Sequence, residues 1–204
     1  MARIKLLDPL VRSRIAAGEV VENPASAVKE LVENSLDAGA KRVDVEIAKG
    51  GKAFIRVADN GTGMYPDDVA LAVEHFATSK IERAEDILGV DTYGFRGEAL
   101  ASIAAVSRFS LTTRRMELNE GTLLRVLENG RKRIQPAGAP PGTTVLVEDL
   151  FYSLPARRKF LKSERAETAK VAETLARTAL FRPDVSFTLK SDGRRLLELP
   201  ERVE

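Results

Sequence analysis

The segment from Val43 to Gly63 restricts the possible folds most. Val43, Val45 and Ile47 alternate with Asp44 and Glu46, the two-residue period of a half-buried strand. Gly50-Gly51 turns the chain into a second strand, Phe54 to Ala58, which runs directly into Asp59-Asn60-Gly61-Thr62-Gly63. A carboxylate is thereby placed at a strand end, on a turn whose glycines permit sharp bends and close approach of another group. Just upstream, Asn23-Pro24 supplies an N-cap and an N1 proline for a helix running to about Asp37, closed by Gly39. Val28, Leu31, Val32, Ser35 and Leu36 form one stripe of that helix; Glu30, Glu33, Asn34 and Asp37 fall on the other side.

The remaining elements fit around this unit. Asp8-Pro9 marks another helix start, with Gly18 as its expected stop, and Pro66-Asp67-Asp68 starts a helix expected to reach about Phe76. Residues 77–93 are poorly periodic and read as a long loop with a short helix near 85–88, a length typical of functional lids. Residues 98–106 form a small-residue helix. Strands follow at 109–114, 122–127, 132–135 and 143–147, with Asn129-Gly130 as a type I′ hairpin signal. A helix at 163–181 precedes a last hairpin, 186–189 with 194–197, around Asp192-Gly193. This order predicts an α+β fold: a two-layer sandwich of helices on a mixed, mainly antiparallel sheet. Residues 1–204 read as one domain, and with no closing element before Glu204 the chain is expected to belong to a longer protein.

Composition removes several kinds of chemistry. The chain has no cysteine and a single histidine, His75, so disulfides, thiolate metal sites and cysteine nucleophiles are excluded and histidine clusters are not expected. Lys+Arg number 32 against 30 Asp+Glu, so the net charge of +2 does not itself point to nucleic acid, although Arg131-Lys132-Arg133 and Arg157-Arg158-Lys159 are basic runs. The N-terminus lacks an apolar stretch of signal-peptide length and no run approaches a membrane span, so a cytoplasmic location away from membranes is expected.

Glu30 and Asn34 stand four residues apart, one above the other on the same helix face. Asn34 offers a neutral amide oxygen to a magnesium ion whose other ligands are phosphates and water, and Glu30 could polarise a water aimed at a γ-phosphate. A solvated polar face, with Lys29 and Glu33 as a surface pair, accounts for the same residues. Asp59 could accept a hydrogen bond from the exocyclic amine of adenine, whereas guanine presents an oxygen at that edge; a plain hairpin turn explains Asp-Asn-Gly equally well. Gly94-Phe95-Arg96-Gly97 precedes a helix near Glu98, and helix N-termini attract phosphate; Lys80 and Arg96 could add charge, while a helix cap would explain Glu98 without any ligand. Gly142-Thr143-Thr144 could bring a hydroxyl to a base pocket. His75 reads as structural, and Arg157-Arg158-Lys159 as a helix start or a contact to DNA phosphate. No GxxxxGK[ST] is present, and Gly61-Thr62-Gly63-Met64-Tyr65-Pro66 carries proline where a dinucleotide fingerprint has its third glycine. Together these are parts of a Mg-ATP site that is not a P-loop.

Glu30 with Asn34, Asp59-x-Gly61-x-Gly63, the loop from Gly94 to Gly97, and Gly142-Thr143 resemble the four motifs of the GHKL (Bergerat-fold) ATPases, a superfamily that includes type II topoisomerases, heat-shock chaperones and histidine kinases. Within it, Ile15-Ala16-Ala17-Gly18-Glu19-Val20-Val21, Lys29 through Gly39, Ala77-Thr78-Ser79-Lys80, Gly94 through Leu100 and Phe151 through Leu161 resemble the MutL mismatch-repair family, over nearly the whole chain.

The resemblance implies Glu30 as general base and Asn34 as magnesium ligand, with Ala38 also at the nucleotide. Asp59 would hold adenine, with Gly63 and Thr143 completing its pocket. Thr78, Ser79 and Lys80, with Gly94, Phe95, Arg96, Gly97, Glu98, Ala99 and Leu100, would cover the phosphates. It further implies ATP and Mg²⁺ as cofactors, ATP-dependent homodimerisation in longer forms of the protein, DNA held without sequence preference, and coupling of a MutS-like mismatch sensor to a nuclease and a helicase, at the nucleoid. Family members carry a second subdomain that supplies a lysine to the γ-phosphate, followed by a C-terminal dimerisation domain. Neither lies within these residues, so nucleotide binding with weak or no turnover is expected. A binding clamp reset by hydrolysis is a second reading; a histidine kinase is a third, for which a phosphoacceptor helix is missing.

Overall fold

The computed structural model describes residues 5–77 and 97–202. Eight strands form one sheet: β1 (Arg42–Ala48), β2 (Phe54–Asp59), β3 (Arg108–Arg114), β4 (Gly121–Val126), β5 (Lys132–Ala137), β6 (Gly142–Glu148), β7 (Ser186–Ser191) and β8 (Arg194–Leu199). Their order across the sheet is β5-β4-β3-β6-β2-β1-β7-β8. Only β1 with β7 is parallel; every other neighbouring pair is antiparallel. The helices are α1 (Pro9–Val20), α2 (Pro24–Asp37), α3 (Pro66–Val69), α4 (Ala99–Ala105), α5 (Pro155–Lys159) and α6 (Glu164–Phe181). The expected α+β sandwich with a mixed, mainly antiparallel sheet is what forms.

The core lies between one sheet face and α2, α4 and α6. Val43, Val45 and Ile47 of β1, Ile55 and Val57 of β2, Val145 and Val147 of β6, and Phe187 and Leu189 of β7 are buried against Val28, Leu31, Val32 and Leu36 of α2 and Val171 and Leu175 of α6. Strand alternation delivers this directly, since every second side chain meets the helix layer. Asn23 caps α2 as its sequence predicts: its side chain accepts from Ser26 N, and Ser26 Oγ accepts from Asn23 N, with Pro24 at N1. Gly39, at φ 72°, ends the helix.

Several boundaries differ from expectation. Helix α1 runs through Gly18 to Val20. Gly18 is an interior residue there with ordinary helical backbone, and a Cβ on it would make only ordinary contacts, 3.6 Å to Leu154 and 3.8 Å to the Arg157 guanidinium, so it does not stop the helix. Helix α3 stops at Val69 instead of reaching Phe76. Phe76, exposed and at φ 64°, leaves the helical path and donates its N–H to Gly97 O at 3.0 Å. At Asn129-Gly130 only Gly130 has positive φ, so the turn is not type I′. Asp192 and Gly193 are both positive and do form such a turn. The loop and short helix expected within 78–93 lie outside the described residues.

Candidate functional site

Asp59 ends β2 exactly where that central strand lies between β1 and β6, and α2 crosses above it. Its two oxygens have different partners. Oδ1 accepts the backbone N–H of Gly61 at 2.8 Å and of Thr143 at 3.2 Å, and Oδ2 accepts the Ser35 hydroxyl at 2.9 Å. Burial pushes the carboxyl above its ordinary value, against the pull of the hydrogen bonds from Gly61, Ser35 and Thr143. A carboxylate offers about four acceptor positions, and three are taken within the protein, leaving one on Oδ2.

The glycine turn is pressed against its surroundings. A Cβ on Gly61 would lie 2.8 Å from Ala38 O, while Thr62 N donates to that same carbonyl at 2.9 Å. Gly63 has φ 69°, and a Cβ there would collide with the Arg114 carbonyl; Gly142 has φ 113°, and a Cβ there would collide with the Asp59 carbonyl. Asn60, next to the key carboxylate, has a structural role: its Oδ1 accepts the N–H groups of Lys41 and Arg42 at 2.9 and 2.8 Å, tying the turn to the start of β1.

Ala38, Asp59, Gly63 and Thr143 are thus brought together around one spot. Thr143 arrives differently from expectation: its backbone N–H meets Asp59, while its hydroxyl lies 2.9 Å from that of Thr113. Glu30 and Asn34 lie on α2, one helical turn apart, on the turns leading to Ser35 and Ala38. Glu30 is half-buried, with the Lys29 ammonium at 3.9 Å; that ammonium also pairs with Glu33 at 3.0 Å. Gly97, Glu98, Ala99 and Leu100 lead into and open α4, and Gly97, at φ 62°, sits against Ala77, where a Cβ would clash with the Ala77 carbonyl. Thr78, Ser79, Lys80, Gly94, Phe95 and Arg96 lie outside the described residues. His75 has the structural part its sequence suggests, bonding Ser13 of α1 at 3.0 Å. A cleft of about 340 Å³ between α2 and α6, on the Lys29 and Glu33 side, contains none of the predicted site residues.

Two members of this network escape a reading of the sequence. Ser35 occupies a position of the apolar stripe, and nothing local announces that β2 brings a carboxylate to it. Thr113, fully buried on β3, accepts Met64 N at 3.0 Å and contacts Gly142 O at 3.1 Å and the Thr143 hydroxyl, joining the glycine turn to β6. Alternation marks Thr113 as inward-facing, and an inward threonine among apolar neighbours is the one available signal. Among the described residues no group of three or more His, Asp or Glu could hold a metal by itself. A single neutral amide, as at Asn34, suits a magnesium ion that arrives with phosphate oxygens and water.

A family model described as histidine kinase-, DNA gyrase B- and HSP90-like ATPase matches residues 22–135. The DNA mismatch repair protein MutL of Heliobacterium modesticaldum is 58% identical over 196 residues, which cover 96% of this chain and 30% of that protein. The MutL protein of Aquifex aeolicus is 53% identical, over 98% of this chain and 48% of its own length. The chain therefore spans less than half the length of either relative. The solved Aquifex aeolicus MutL ATPase domain complexed with ADP is similar at TM-score 0.73 and 43% identity, covering 90% of this chain and 66% of that one. Element order, the Asp59 turn under α2 and these likenesses agree: the chain belongs to the histidine kinase-, DNA gyrase B- and HSP90-like ATPase family, in its MutL branch.

Proposed function

We propose that this chain is the ATP-binding part of a MutL-type mismatch-repair protein, in which Mg-ATP binding and slow hydrolysis gate dimerisation and engagement of DNA. The observation that carries the reading is the Asp59 carboxylate, held by Gly61, Thr143 and Ser35 with one acceptor position to spare. A purine amine donates to such a position; a purine carbonyl does not, and its burial there costs about 1–3 kcal/mol. Gly61 keeps a side chain away from the carboxylate, where a Cβ would lie 3.1 Å from Oδ1, and Gly142 lets the chain lie against the Asp59 backbone carbonyl.

Asn34 would hold magnesium, which when bound neutralises phosphate charge and fixes the triphosphate's position. Glu30 is the general base: on the same helix as Asn34, it takes a proton from a water aimed at the γ-phosphate, a contribution of roughly 10²–10⁴-fold. The segment 78–80, with 94–100, covers the phosphates. A lysine from a following subdomain completes the charge, so turnover by residues 1–204 alone is weak or absent. In the whole protein the nucleotide-bound dimer holds DNA without sequence preference and relays a mismatch signal from a MutS-like sensor to a nuclease and helicase in the cytoplasm, at the nucleoid.

Calorimetry with a non-hydrolysable ATP analogue tests the site. Binding is expected with Mg²⁺, weaker binding without it, and none for Asp59→Asn; unchanged affinity in that variant would overturn the assignment. Glu30→Ala is expected to retain analogue binding, and in the full-length protein to lower hydrolysis by at least about a hundredfold. If its dimerisation and DNA retention persist, hydrolysis serves only to reset a binding clamp.

A further inference from the structure

Ser35 lies on the apolar stripe of α2 and is almost completely buried, yet its hydroxyl reaches the pocket rather than the core. One proton has two possible acceptors: Leu31 O at 3.1 Å and Asp59 Oδ2 at 2.9 Å. The Leu31 carbonyl is already served by the helical ladder of α2. A carboxylate is the stronger acceptor, and hydrogen bonds to an ionised group are short and strong. The proton therefore goes to Asp59. The two backbone donors, Gly61 and Thr143, both use the other oxygen, Oδ1. Ser35 is thus the donor that sets the character of the oxygen facing a base.

We infer that Ser35 is a specificity-determining positioning residue, whose hydroxyl keeps Asp59 Oδ2 a pure acceptor and so makes the pocket choose adenine over guanine. This rests on the reading of Asp59 as the base-binding group. An ionised Oδ2 accepts the amine of adenine and repels the carbonyl oxygen of guanine. A protonated Oδ2 is a donor and suits that carbonyl instead. Ser35 works against the second state in two ways. Its donated hydrogen bond favours the ionised form. Should the carboxyl gain a proton, Ser35 Oγ is positioned to accept a hydrogen bond from it while donating its own O–H to Leu31 O, so the carboxyl proton points away from the ligand. Without the hydroxyl, a proton on Oδ2 has only the ligand to meet. The influences on Asp59 are burial and the three hydrogen bonds already named; no charged side chain of α2, β1, β2 or β6 contributes.

The test compares wild type, Ser35→Ala and Asp59→Asn for binding of non-hydrolysable adenine and guanine triphosphates with Mg²⁺ between pH 8.5 and 5.5. Titration of the nucleotide itself is common to all proteins and cancels in the comparison. Wild type and Ser35→Ala are expected to bind the adenine analogue within about threefold of each other at pH 8.5. The variant becomes roughly tenfold weaker as pH falls, and its preference for adenine over guanine narrows by a similar factor, since losing a hydrogen bond to the ionised form raises the Asp59 carboxyl further. Thermal melting of Ser35→Ala establishes that it folds. Parallel pH profiles for wild type and Ser35→Ala, with Asp59→Asn unable to bind adenine, overturn the role of Ser35 alone. Full adenine affinity in Asp59→Asn overturns the base pocket and this inference with it.

Discussion

Asp59 does its work at a cost to the fold. Burial holds its carboxyl above the ordinary 3.8, so the folded state binds the proton more tightly than the unfolded chain. Such a group stabilises fully below the unfolded value and loses that contribution as pH rises through the folded one. At pH 7.5 the ionised carboxylate therefore destabilises the protein relative to a neutral group of the same shape. Asparagine can keep the geometry, its oxygen accepting from Gly61 and Thr143 and its amide donating to Ser35. We expect Asp59→Asn to melt at or above the wild-type temperature at pH 7.5, with the advantage shrinking toward pH 4; a clear fall in melting temperature at pH 7.5 would contradict this. Thr113 is the opposite case. Thr113→Val strands the partly buried Met64 N–H and unlinks the buried Thr143 hydroxyl, and a loss of about 1–3 kcal/mol in denaturant unfolding is expected. Asp59 stands out in the sequence because a strand ending in Asp-x-Gly-x-Gly is unusual locally. Ser35 and Thr113 act through strand pairing and helix crossing, which no local pattern encodes.

Among the elements, those with a strong local signal formed where expected, and those that depend on neighbours did not. Helix α2 has a proline, a capping box and a stripe, all agreeing, and its limits match. Pro66 starts α3 as expected, but the stop signals misled: α1 runs through Gly18, and α3 ends at Val69, short of Phe76. The β2–β6 junction gives this a test. Gly142 has φ 113° and its missing Cβ would strike the Asp59 carbonyl, whereas Gly138 has open space around its Cβ and no positive φ. Gly142→Ala must therefore shift β6 away from β2 at the point where Thr143 N meets Asp59. It is expected to cost more than 1 kcal/mol of stability and to weaken binding of the ATP analogue at least tenfold, while Gly138→Ala leaves both unchanged. Equal effects of the two substitutions on affinity would show that the turn has no part in the site.

For the molecule as a whole, the unusual surface is at the N-terminal end. Leu6, at 87% exposure, with Leu7, Val11 and Ile15 at 42–50%, presents apolar side chains along the approach to and outer side of α1, whose inner residue Ala17 is fully buried. A cluster of this kind on an otherwise charged surface suits burial against a partner. Helix α1 is also tied to the site's surroundings, through the Ser13–His75 hydrogen bond next to Phe76, whose N–H meets Gly97. A nucleotide that displaces Gly97 would thereby bias α1 toward one position, which is how binding at Asp59 would be felt at a dimer surface. Ile15→Glu places a charge in that surface without touching the nucleotide site. We expect wild type to shift from monomer toward dimer in sedimentation velocity when the ATP analogue and Mg²⁺ are added. Ile15→Glu should stay monomeric with analogue affinity within about twofold of wild type. An analogue-dependent dimer that persists in Ile15→Glu would move the interface away from α1. Loss of nucleotide binding together with loss of the dimer would instead mean that the two events cannot be separated at this helix.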